Sequence, residues 1–208
     1  MRVSKLRSWP KRATGCPVQP KVFITTGTGG GIGTDVALGD IVIAGTVKFH
    51  CMKQFNNKQK YPWNADSYAT TPVPAKALAA ITPALTKVNA ARITKYNPRP
   101  VPQIWSAVTD AIVTTDFFAF DDSQDTYGLE GLGRACDMGD AMVGNVMQGY
   151  PNTRWFAIRN ASDPQIPNPN KNIEAAGKLS TEIYTDYGVF TTAASVIASW
   201  AIIDAVIN

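Results

Sequence analysis

Apolar residues recur along this chain in short continuous runs that alternate with stretches of helical spacing. Lys21-Val-Phe-Ile-Thr-Thr26 is one such run, and its lack of a polar face predicts a buried strand. It leads into a loop, Gly27-Thr-Gly-Gly-Gly-Ile-Gly33, and Asp40 to Phe49 predicts a second strand. Residues 52–74 show no period and predict a long loop, a length more often functional than idle. Leu78, Ile81, Leu85 and Val88 fall at helical spacing, with Pro83 as a kink or early-turn residue. Asn97-Pro-Arg-Pro-Val-Pro102 breaks the chain, and Ala107 to Thr115 is strand-like. A helix is expected over Tyr127 to Leu132, then a short strand ending at Asp137-Met138. A helix through Met142, Val143, Val146 and Met147 follows, stopped by Gly149-Tyr-Pro151. Arg154 to Arg159 is one more buried strand, running into Asn160-Ala-Ser-Asp163. After Pro164, Pro167 and Pro169 the pattern is helical for the last 35 or so residues. Strands alternating with helices predict an α/β fold with a mixed, largely buried central sheet flanked by helices. Residues 21–208 form a single α/β domain in this reading, or the C-terminal part of a longer parent chain.

Composition narrows the function classes. Charged residues make up 17% of 208 residues, below the ~25% of ordinary domains, which argues against disorder. The net charge of +4 is local, because Arg2, Lys5, Arg7, Lys11 and Arg12 lie in the first 20 residues. That segment is expected to be a poorly ordered basic leader, and the remainder offers no basic face for nucleic acid. Cys16, Cys51 and Cys136 are too widely spaced for a zinc motif, and His50 is the only histidine. No metal site and no organic cofactor are expected. The most apolar stretch, Thr192 to Ile207, falls short of a membrane span and carries Asp204. The basic start lacks the apolar run of a secretory signal, so a soluble, cytoplasmic chain with no membrane partner is expected.

The chemistry-bearing residues cluster at predicted strand ends: Thr26-Gly-Thr28, Thr115-Asp-Phe-Phe118, Asp137-Met138 and Asn160-Ala-Ser-Asp163. In open α/β sheets ligands bind beyond such ends, so the four tips converge on one pocket in this reading. The alternative makes them turns with Asx and Ser caps. The glycine loop misses the dinucleotide and P-loop spacings, and a strand rather than a helix follows it. Its backbone amides, at Gly29 and Gly30 among others, and the Thr28 hydroxyl are suited to a small anion or a water.

Four segments carry a resemblance, in order along the chain. Thr26-Gly-Thr-Gly-Gly-Gly31 followed by Gly39-Asp-Ile-Val-Ile43 resembles the "TGSAGG…GDIVV" segment of the nucleoside phosphorylase and nucleosidase superfamily. Ile112-Val-Thr-Thr-Asp-Phe-Phe118 is similar to its "VSGDxF", Asp137-Met138 to its "EME", and Phe156-Ala-Ile-Arg-Asn-Ala-Ser-Asp163 to its "VVRAISD". The resemblance implies cleavage of a purine N-glycosidic bond without metal or organic cofactor. It places Phe118 against the base, Met138 under the sugar, Asp163 as the acid facing the purine and Ser162 as its orienting partner. Thr28 takes the place of the phosphate or attacking water. The family's sugar-binding glutamate is replaced by Gly139, leaving Asp137 or Asp140 as substitutes. Thr25 stands where phosphorylases of the hexameric type carry a phosphate-clamping arginine, which favours hydrolysis over phosphorolysis, with phosphate as co-substrate in the latter case. A non-catalytic, nucleoside-binding or storage-type protein on the same fold is the third reading. The ligand implied is a small-molecule nucleoside and the assembly a homo-oligomer. His50 is expected to be a packed or surface residue.

Overall fold

A computed structural model describes residues 20–53, 65–87 and 95–207. The basic leader, Cys16, Val88 and most of the loop expected over 52–74 lie outside the described residues. Among the described residues eight strands form one mixed sheet: β1 (Val22–Gly31), β2 (Ile41–Ile43), β3 (Thr46–Phe49), β4 (Ser67–Ala69), β5 (Ile104–Trp105), β6 (Ala111–Thr114), β7 (Ala135–Asp137) and β8 (Arg154–Asp163). Their order across the sheet is β4-β3-β6-β7-β1-β8-β2-β5. Three helices join them: α1 (Ala75–Leu85), α2 (Asp140–Met147) and α3 (Ile173–Ile207). The expected α/β fold with a mixed, buried sheet is what the chain adopts.

Two-residue alternation sorts the apolar side chains onto the two faces of the sheet. Phe156 and Ile158 of β8, with Ile41 and Ile43 of β2, pack under α1 and α3. Trp155 and Ala157 of β8, with Val42, Val47 and Ile112, pack against Ala141 and Met147 of α2. β8 is therefore apolar on both sides, which is why its sequence shows no alternation. Asn172 starts α3 by accepting from the Ala175 amide at 3.0 Å.

The structure differs from the sequence reading in four places. The glycines from Gly27 to Gly31 are not a loop but the second half of β1. The run from Asp40 to Phe49 is two strands, because the chain leaves β8 after Ile43 and crosses to β6 from Thr46. The crossing needs Gly45, where a Cβ would lie 2.6 Å from the Val108 backbone. Residues 127–132 are turns rather than a helix, held open by positive φ at Gly128 and Gly131. Finally, the helix expected over the last 35 or so residues is α3, and by length and composition it is apolar enough to cross a membrane, whereas the sequence reading judged Thr192 to Ile207 too short for a span. One face of α3 packs on the sheet core through Ala194, Ala198 and Ile202.

Asp40 ties the β1–β2 turn to the segment that precedes β5. Its fully buried carboxylate accepts from the amides of Ala37 (3.0 Å) and Gln103 (2.9 Å). Asn97 Nδ2 (3.3 Å), Trp105 Nε1 (3.3 Å) and the Arg99 guanidinium complete the shell. Removing the carboxylate orphans several donors at once, so Asp40→Ala should cost about 3 kcal/mol in urea denaturation.

Candidate active site

Gly30 faces Cys136 of β7 on one side and Asp163 of β8 on the other. A Cβ there would lie 2.9 Å from Cys136 Sγ and 3.4 Å from Asp163 Oδ2. At Gly29 it would lie 2.6 Å from the Cys136 carbonyl oxygen. The glycines thus let β7 close on β1 and draw three strand ends together. Thr28, Gly29 and Gly30 of β1, Thr115 and Phe118 after β6, Asp137, Met138 and Gly139 after β7, and Ser162 and Asp163 of β8 line one cleft of about 540 Å³. The four tips do converge. Thr181 and Tyr184 of α3 complete the wall.

The rim is apolar. Phe118 is 63% exposed and Met138 60% exposed, the opposite of what burial in a core would give, and Tyr184 is exposed beside them. Thr115 shapes the Phe118 loop by donating from Oγ1 to the Phe117 carbonyl at 2.8 Å.

Asp163 is the buried acid of the cleft. Ser180 of α3 donates from Oγ to Oδ2 at 2.9 Å, and Ser162 Oγ lies 3.1 Å from Oδ1 and 3.2 Å from the Gly29 carbonyl oxygen. Burial pushes the carboxyl pKa up to about 6 from 3.8, against the opposing pull of the Ser180 and Ser162 hydroxyls. A protonated population therefore persists close to neutral pH.

A second acidic group sits beneath Met138. Arg159 of β8 donates from Nη2 to Asp137 Oδ2 (2.9 Å) and Asp140 Oδ1 (2.7 Å). Asp137 also accepts from Thr114 Oγ1 (2.6 Å) and from the amides of Gly139 (3.1 Å) and Asp140 (2.9 Å) at the start of α2. Both Asp137 oxygens are thus committed to protein partners, although the residue lines the cleft. Asp140 lies behind the lining, fully buried, its pKa raised by burial first and then by the Asp137 charge, against the pull of Arg159. Asp137 has no uncommitted oxygen and Asp140 does not line the cleft, so neither takes the place of a side chain at Gly139, where a Cβ would meet only open space. His50 lies apart, with Nε2 2.7 Å from the Tyr127 carbonyl oxygen.

Sequence reasoning missed Arg159, Thr181 and Tyr184. Arg159 had a readable signal: a cation that interrupts an apolar strand must find buried anions. The α3 residues had none, because only the folded helix brings them to the cleft.

Among solved structures, the chain superposes on 5′-methylthioadenosine/S-adenosylhomocysteine nucleosidase from Neisseria meningitidis in complex with methylthio-immucillin-A, with a TM-score of 0.56 and 18% identity. That match covers 89% of this chain and 70% of the other. The corresponding nucleosidase from Helicobacter pylori, with butyl-thio-DADMe-Immucillin-A, gives 0.54 and 16%, covering 88% and 68%. Futalosine hydrolase of Helicobacter pylori gives 0.50 and 15%, again covering 88% and 68%. The chain has the fold of the nucleoside phosphorylase and nucleosidase superfamily. Identities this low establish the fold alone. No family model and no curated protein matches the chain.

The charge cluster gives a test of this packing. Arg159→Met leaves two buried aspartates facing each other and should cost about 3–5 kcal/mol in urea denaturation at neutral pH. Adding Asp140→Asn to that variant removes one orphaned charge and should recover part of the loss.

Proposed function

We propose that this cleft binds a small nucleoside and cleaves its N-glycosidic bond with water, Asp163 protonating the departing base. The observation that carries this reading is the Asp163 carboxyl: buried, held on both oxygens by serine hydroxyls, and protonated up to about pH 6. Departure of the base leaves an oxocarbenium-like sugar, so a proton delivered to the leaving nitrogen lowers the barrier. Water adds to the anomeric carbon as the C–N bond breaks. Net, the sugar gains hydroxyl and the base gains hydrogen. The exposed Phe118 ring suits a flat heterocycle and Met138 an apolar sugar face. Thr28, with the amides of Gly29 and Gly30, lines the side from which a water would approach. No step calls on a resident metal or organic cofactor.

Hydrolysis is favoured over phosphorolysis by the state of the cleft's cation. Arg159, the only Lys or Arg lining the cleft among the described residues, already binds two carboxylates and has no charge to spare for a phosphate dianion. Incubation with inosine, adenosine and methylthioadenosine should release free base equally with and without phosphate. Base release that requires phosphate would overturn the hydrolytic reading. Tight nucleoside binding with no turnover in either condition would favour the non-catalytic alternative, which Gly139 supports.

Two outcomes are expected for Asp163. In the parent, kcat/KM should fall about tenfold per pH unit above about 6, as the acid loses its proton. Asp163→Asn cannot transfer a proton and should lose roughly 10²–10⁴-fold in turnover. Its stability should move the other way. Burial raises the folded-state pKa above 3.8, so the folded parent holds an extra proton between about pH 4 and 6 and loses stability as pH rises through that window. Thermal melts should therefore show Asp163→Asn gaining on the parent as pH rises from 4 to 6, with no further gain above that.

A further inference from the structure

The serine and threonine hydroxyls of α3 fall into two groups. Thr181 donates to the Gly177 carbonyl, Thr185 to Thr181, and Thr191 and Thr192 to Gly188. Ser195 and Ser199 likewise reach Thr192 and Ser195. All six thus have an acceptor in their own helix, as hydroxyls in helices commonly do. Ser180 is the exception. Among the described residues its one bond crosses the seam to Asp163 Oδ2, at 2.9 Å. Ser180 is buried and does not line the cleft, so its hydroxyl is committed to the acid alone.

The other oxygen of the acid has a neighbour of a different kind. Ser162 Oγ lies 3.1 Å from Asp163 Oδ1 and 3.2 Å from the Gly29 carbonyl oxygen. Its single hydrogen therefore has two acceptors to choose between. That freedom decides where a proton on Asp163 goes. With the proton on Oδ1, Ser162 accepts it and turns its own hydrogen to Gly29, while Ser180 still donates to Oδ2. Every hydrogen is then placed. With the proton on Oδ2 pointing at Ser180, the Ser180 hydrogen would have no acceptor in a buried seam.

We propose that Ser180 is a positioning residue for the acid: it fixes Oδ2 as the oxygen without hydrogen, so that the transferable proton of Asp163 sits on Oδ1 with Ser162 as its resting acceptor. This rests on the reading of Asp163 as the acid of the cleft. In the reaction the Oδ1–H bond breaks as the base nitrogen gains that hydrogen. Ser162 then turns from Gly29 to the anionic Oδ1, and both oxygens accept from a serine. The attacking water gives its hydroxyl to the sugar and its remaining proton to Asp163, which restores the start. The other ionisable groups nearby leave the balance to the serines. Cys136 of β7 stays a neutral thiol because burial raises its pKa. Asp137 and Arg159 are spent on each other, and Asp121 accepts from the Gly33 amide. Lys178 and Glu182 of α3 face each other in solvent.

The test titrates the Asp163 carboxyl by carbon-13 NMR in the full chain and sets it beside the pH profile of nucleoside cleavage. The bond from Ser180 strengthens when Asp163 ionises, so Ser180→Ala should raise the titration midpoint by about one pH unit. Ser180→Thr keeps the hydroxyl and should return it to the parent value. Ser195→Ala removes a different bond of the same seam and should leave it there too. Ser162 serves both forms of the acid, accepting from one and donating to the other. Ser162→Ala should therefore shift the midpoint by less than half as much as Ser180→Ala. An unmoved midpoint in Ser180→Ala, or an equal shift in Ser195→Ala, would overturn the positioning role. A shift in Ser162→Ala as large as that in Ser180→Ala would overturn the place of the proton. In turnover, the alkaline fall of kcat/KM should move up with the midpoint in Ser180→Ala, with KM near the parent's. A profile that stays put while the carboxyl shifts would also overturn the role. Absence of turnover in the parent would end the hydrolytic reading, and the titrations would still decide where the proton sits.

Discussion

The close approach of β1 to β7 at Gly29 and Gly30 is the constraint from which the cleft follows. Side chains there would strike the Cys136 carbonyl and thiol, pushing away the strand that carries Asp137. With β7 held off, Met138 and Phe118 would leave the rim and Arg159 would lose an anion. The cost of the arrangement is backbone entropy in a glycine-rich strand, which pairing on one side does not recover. β8 supplies the rest: it is the most deeply buried strand, and its last residues are the acid and its serine.

Two buried acidic groups divide the site by environment. Asp163 has hydroxyl partners and no cation among its hydrogen-bond partners, so desolvation dominates and its pKa is raised to about 6. Asp137 has a guanidinium, a hydroxyl and two amides, so its charge is fully spent on holding the start of α2. One carboxyl sits among hydroxyls in a dry pocket and the other fixes a helix.

The sequence made most element types legible, because β8 is one continuous apolar run and α2 and α3 keep a helical period over enough residues. The order of four short motifs also brought Thr28, Phe118, Asp137, Met138, Ser162 and Asp163 to one place. What failed was local grammar overruled by tertiary contact. A glycine run reads as a loop, since nothing in its side chains favours a strand, yet β8 imposes extended geometry on it. The break at Ala44-Gly45 sits in a continuous apolar run, and only the approach of Val108 demands it. The turns over 127–132 depend on an Asp122 carboxylate that accepts from Thr126 and from Asn168, far along the chain. Asp140 was named for its charge, but its burial behind Arg159 is a property of packing that no spacing encodes.

The register of α3 on the sheet governs the acid as directly as the strands do. Its inner face carries Ile183 and Ile202 together with Ala176, Ala194 and Ala198, small residues that allow close approach but add little hold along the axis. Three serines on that side add directional contacts to this apolar packing. Ser180 donates to Asp163, Ser195 to Asn160 Oδ1 at 2.8 Å, and Ser199 to Thr26 Oγ1 at 3.0 Å. A slip of one turn, about 5.4 Å, breaks all three bonds together and strands buried oxygens on both sides of the seam. The polar contacts therefore act as a ruler along an apolar interface, and the clamp on Asp163 is one of its marks. Site geometry here is inherited from helix register, which explains why a 35-residue helix contributes so few residues to the cleft and still decides how its acid behaves.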